Sequence, residues 1–80
     1  MSEAHASSAK FDDLLLTIAR NGEHWRARVE EIDDPDSGLS DGTDYANPGT
    51  AKRGAADIAR ELFGTNVAEE ELDWRPIPSD

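Results

Sequence analysis

The sequence predicts an α+β domain: a small ββαβ unit with an antiparallel three-stranded sheet and one helix packed on one face. Three observations lead there. Asn21-Gly22 sits between two runs that alternate apolar and polar residues, Asn47 to Gly64 repeats apolar residues at helical spacing, and a last alternation around Leu72 and Trp74 ends in prolines.

Residues 1–10, MSEAHASSAK, are small and polar without a periodic apolar face, and read as a flexible N-terminal tail. The domain is then expected over residues 11–80. Asn-Gly is the pair preferred by a two-residue type I′ turn, in which both central residues have positive φ. With Arg20 opposite Glu23, Ile18 faces Trp25, Leu16 faces Ala27 and Leu14 faces Val29, all on one side of the sheet. The other side pairs Ala19 with His24, Thr17 with Arg26, Leu15 with Arg28 and Asp13 with Glu30, so the hairpin has one buried face.

In the segment ANPGTAKRGAADIARELFG, Ala51, Ala55, Ile58 and Leu62 share one helix face, while Lys52, Arg53, Asp57, Arg60 and Glu61 point away. Either Asn47, followed by Pro48, or Thr50 caps its start, and Gly64 supplies the left-handed stop. Gly54 either weakens this helix or permits a close approach to the sheet. The third strand, in EELDWRPIP, carries Pro76 and Pro78, which cannot donate to a ladder, so it belongs at an edge.

Eighteen acidic side chains against eight basic ones leave a formal charge of −10. Phosphate-bearing partners, whether nucleic acid or an anionic membrane, are thereby disfavoured, and a neutral or basic protein is favoured. There is no cysteine to form a disulfide or a thiolate zinc site. The longest apolar run, Leu14 to Leu16, is far too short to span a bilayer, and no signal-peptide pattern opens the chain. A cytoplasmic protein is the expectation.

Catalytic motifs fail one by one. Gly38-Leu39-Ser40-Asp41-Gly42 matches the G-x-S-x-G spacing, but no helix pattern starts at Asp41 and a hydrolase sheet needs far more chain. An EF-hand is excluded because Gly38 follows Asp34 and Asp36 where a third ligand is required, and Tyr45 stands at the position of the closing glutamate. His5 and His24 each lack a second ligand at helical or strand spacing, and Gly49-Thr50-Ala51-Lys52 lacks the phosphate-loop spacing. Trp25 and Trp74 are assigned to the core of so small a domain rather than to a ligand-stacking pair. No enzyme, no cofactor and no metal site is expected.

What remains is the acidic loop over residues 30–46. Glu30, Glu31, Asp33, Asp34, Asp36, Asp41 and Asp44 fall in it with no Lys, Arg or His between, and Leu39 and Tyr45 could anchor a partner among them. Glu69, Glu70, Glu71 and Asp73 form a second concentration. Carboxylates dispersed on a small rigid scaffold can imitate a phosphate backbone and occupy the basic groove of a nucleic-acid-handling protein. The rival reading is a structural or housekeeping domain of a salt-loving organism, in which acidity holds hydration and Lys is scarce. A three-stranded sheet with Phe11, Leu15 and Ile32 on its second face also leaves room for a homodimer.

Two families are similar to these segments. The hairpin LLLTIARNGEHWRARVEEI, the helix TAKRGAADIARELFG and the terminal DWRPIPSD resemble small phage-encoded type I anti-CRISPR proteins in length, acidity and ββαβ order. That resemblance implies an inhibitor that binds a subunit of a CRISPR interference complex, in some members as a DNA mimic. HWRARVEEIDDPDSGLSDGTDY followed by AKRGAADIAREL also resembles HicB-type antitoxins, which implies a partial double-stranded-RNA-binding fold capping a basic ribonuclease toxin. Both imply the same class of partner, a basic nucleic-acid-binding protein met by the seven carboxylates of residues 30–46.

Overall fold

The computed structural model describes residues 6–40 and 42–77. The α+β class and the antiparallel sheet with a helix on one face are present, but the sheet has five strands rather than three. A meander of β1 (Ala6–Phe11), β2 (Leu14–Asn21), β3 (His24–Glu31) and β4 (Asp34–Leu39) precedes α1 (Pro48–Leu62), and β5 (Arg75–Pro76) closes the order β4-β3-β2-β1-β5. Two expectations are thereby corrected. Residues 6–10 of the expected tail belong to a strand, its residues 1–5 lie outside the described residues, and residues 34–39, in the middle of the expected acidic loop, form another strand.

The reason lies in the turns. Asp12-Asp13, Gly22-Glu23 and Ile32-Asp33 each join two strands with a two-residue connection, and these connections recur every ten residues. Strand ASSAKF has Phe11 as its one large apolar residue, yet Ala9 and Phe11 alternate correctly for the covered face, and Ala9 pairs with Leu16 of β2. In β4 the polar residues hide the pattern altogether. Its pairing to β3 shifts at a bulge between the Glu31–Asp34 and Val29–Leu39 pairs, which disturbs the regular alternation.

The hairpin of β2 and β3 also turns one residue later than expected. Gly22 has φ 70 at the first turn position, while Asn21 remains in the strand opposite His24. Only one turn residue then needs positive φ, as in type II′ geometry, and glycine meets that need without steric cost. Ile18 consequently pairs with Ala27 and Leu16 with Val29. The slip changes each partner by two residues, so every side chain keeps its face.

Leu16, Ile18 and Val29 are the largest fully buried side chains. Above them α1 presents Ile58 among the small residues Ala51, Gly54, Ala55, Ala56 and Ala59, which let the helix axis approach the sheet. Phe11, Trp25, Tyr45, Phe63 and Trp74 pack around this thin core half-buried, as a rim rather than as its centre. Phe11 therefore lies on the covered face, and Ile32 lies in a turn, so of the three residues expected on the second face only Leu15 is there.

Asn47 caps the helix: its Oδ1 accepts from the Thr50 N–H at 2.9 Å, and Pro48 occupies the first helical position. The Thr50 hydroxyl donates back to the Asn47 carbonyl at 2.9 Å. At the other end Gly64, φ 66, makes the stop, and the N–H groups of Phe63 and Thr65 share the Ala59 carbonyl. Leu62 is 53% exposed in this last turn, and Phe63 turns toward the core in its place.

From Gly64 the chain returns along the helix flank. Val67 and Leu72 bury into the core, and Arg60 Nε donates to the Val67 carbonyl at 3.0 Å. A short 3-10 turn at Glu69–Glu71 precedes β5, which pairs antiparallel with β1 at Ser7 and Ser8. Leu72 and Trp74 precede this strand instead of forming it. The edge position expected from the prolines is observed. No helix among the described residues is long and apolar enough to cross a membrane.

Candidate functional site: the acidic turns

The meander places the β1–β2 and β3–β4 turns at the same end of the sheet. They are joined there, because the Ile32 N–H donates to the Asp13 carbonyl at 2.8 Å. Asp12, Asp13, Glu31, Asp33 and Asp34 are exposed at this end, and none takes part in an ion pair among the described residues. Ile32, 43% exposed, stands between Glu31 and Asp33 as an apolar point within the charge. Beside it a depression of roughly 280 Å³ is lined by Asp12, Asp13, Leu14, Glu31, Phe63 and Thr65, where the end of α1 meets the first turn.

The seven carboxylates expected to act together are divided by the fold. Glu30 points to the uncovered sheet face and accepts from the Arg28 guanidinium at 3.1 Å. Asp44 accepts from Arg26 Nε at 2.9 Å. Both are thereby engaged with cations of β3, two and eighteen residues away in sequence. Glu31, Asp33 and Asp34 are brought to the acidic end, Asp36 is exposed in β4, and Asp41 lies outside the described residues. Ser37 braces this segment, accepting from the Glu31 N–H at 2.9 Å and donating to the Asp34 carbonyl at 2.7 Å.

Of the two apolar anchors expected in the run, Leu39 is 42% exposed. Tyr45 is not available in that way. Its backbone forms an isolated bridge with Trp25, with N–H to carbonyl distances of 2.8 and 2.7 Å, and its half-buried ring packs against the core.

Asp12 and Asp13 belong to the acidic end although the sequence reading passed them over. The signal was present in the spacing: Asp12-Asp13 precedes Gly22-Glu23 and Ile32-Asp33 by one and two ten-residue steps. Recognising it required knowing that residues 6–11 form a strand. Among the described residues no group of three His, Asp or Glu side chains is arranged to hold a metal ion. The arrangement is suited to long-range attraction of a cationic surface, with Ile32 to fix the contact. No family model matches this chain, and neither a curated protein nor a solved structure matches it.

Proposed function

We propose that this chain is a small non-enzymatic inhibitor, anti-CRISPR-like in character, that occupies the basic nucleic-acid-binding surface of a partner protein. The observation that supports it is the union of two acidic turns through Ile32 and Asp13, which gathers five exposed carboxylates without internal cations. The backbone hydrogen bond between the two turns holds these carboxylates near one another before contact, which lowers the backbone ordering cost of association. The long-range field speeds encounter, and Ile32 contributes the short-range apolar contact. Glu30 and Asp44, already paired to arginines, have a structural part in this reading.

The test compares wild type with a variant carrying D12N, D13N, E31Q, D33N and D34N. Each is immobilised and exposed to host lysate, and bound proteins are eluted by salt or by added DNA or RNA. Recovery by wild type alone of a basic nucleic-acid-binding protein, displaced by nucleic acid, supports the proposal. Equal recovery by the neutralised variant, or recovery of no basic protein from a lysate containing such targets, overturns it.

A further inference from the structure

At the opposite end of α1 the charge pattern reverses. Here a pocket of roughly 210 Å³ is lined by Gly49, Lys52, Arg53, Glu69, Leu72 and Trp74. Lys52 and Arg53 are two of only eight bases in the chain, and both border this one pocket. The first turn of the helix holds no carboxylate, although acidic residues make up eighteen of the eighty positions. Helix dipoles favour the contrary arrangement, with acids near the start and bases near the end.

The two cations are weakly committed. The Lys52 ammonium has no carboxylate partner among the described residues and lies 5.8 Å from the centroid of the Trp74 ring. Arg53 has one, Glu69, at 3.8 Å, with side chains 74% and 42% exposed. An ion pair that long and that open to water contributes little to stability. Leu72 and the half-buried indole supply an apolar wall beside these charges.

We infer that this pocket binds a small planar anion, a ring carrying a carboxylate or a phosphate. The ring lies against Trp74 and Leu72, and the anionic group bridges Lys52 and Arg53, displacing Glu69 from the guanidinium. Glu69 thus acts as a resident competitor for the site. The site is distinct from the acidic turns, and either can fail without the other.

The test is a heteronuclear NMR titration of the full chain in low-salt buffer with indole-3-acetate, adenosine monophosphate, inorganic phosphate, and the uncharged indole and adenosine. Saturable shifts confined to residues 49–53 and 69–74, including the Trp74 indole N–H, are expected for a ring-bearing anion. Whichever of indole-3-acetate and adenosine monophosphate binds more tightly identifies the class. Lys52→Gln should weaken that binding about tenfold, the loss expected for one charge-assisted contact. Glu69→Gln should strengthen it, an outcome that a merely loosened fold would not produce. No saturable shift with either ring-bearing anion, inorganic phosphate binding as tightly as both, or unchanged affinity in Lys52→Gln would overturn the inference.

Discussion

The side chain of Tyr45 fills the space over Gly54 in which a β-carbon would stand. Its backbone is meanwhile bridged to Trp25 at the edge of β3, so helix, sheet and the segment between them meet at one point. The glycine is there for packing, since its backbone is ordinary helix.

Gly54→Ala should therefore destabilise the protein even though alanine is the better helix former by about 1 kcal/mol. Overpacking against Tyr45 costs about 1–3 kcal/mol, giving an expected net loss of about 1 kcal/mol in urea unfolding. In a Tyr45→Ala background the same substitution should become stabilising, because the clash is gone and the propensity remains. Destabilisation of equal size in both backgrounds would refute this account.

The β2–β3 turn gives a second prediction. Because Gly22 alone holds the left-handed conformation and Asn21 is a strand residue, Gly22→Val should cost about 1–2 kcal/mol while Asn21→Thr stays within about 0.5 kcal/mol. A large loss from Asn21→Thr would instead indicate an Asn21-Gly22 turn.

Removing the helix cap by Asn47→Ala should cost about 1 kcal/mol, since the Thr50 N–H loses its acceptor at the first turn. Asn47→Asp should retain most of that stability in the same thermal or chemical melt, because its carboxylate can accept the same hydrogen bond. Equal losses in the two variants would show that the stability does not come from the oxygen that accepts from the Thr50 N–H.

The acidic end should be a small burden on folding. Its five carboxylates repel one another in dilute buffer, so the neutralised variant should be at least as stable as wild type there, with the difference fading as salt is added. Wild type should remain folded at low ionic strength, monitored by circular dichroism. If it unfolds without molar salt, the carboxylates serve a halophilic fold and not a binding surface.

Local chemistry made some features legible in advance. Alternation in Leu14–Ile18 and Trp25–Val29 announced a one-sided hairpin, Asn47-Pro48 and Gly64 bounded the helix, and prolines sent the last strand to an edge. These signals act over a few residues. A strand such as Ala6–Phe11, made mostly of small residues, or Asp34–Leu39, interrupted by a bulge, carries little such signal and is held in place by its pairing to a neighbouring strand.

The candidate site divided in the same way. Sequence alone determined that the chain is strongly acidic and that its carboxylates crowd into residues 30–46, because charge is a property of composition. Only the tertiary structure decided which carboxylates are available. The bridge between Trp25 and Tyr45 placed Asp44 where it engages Arg26, alternation within β3 set Glu30 on the same face as Arg28, and the meander brought Asp12 and Asp13 beside Ile32 from nineteen or more residues away. The same return of the chain along α1 set Trp74 against Lys52. Such meetings depend on strand order and on the path of the chain, which arise from burying one continuous core and not from any local stretch of residues.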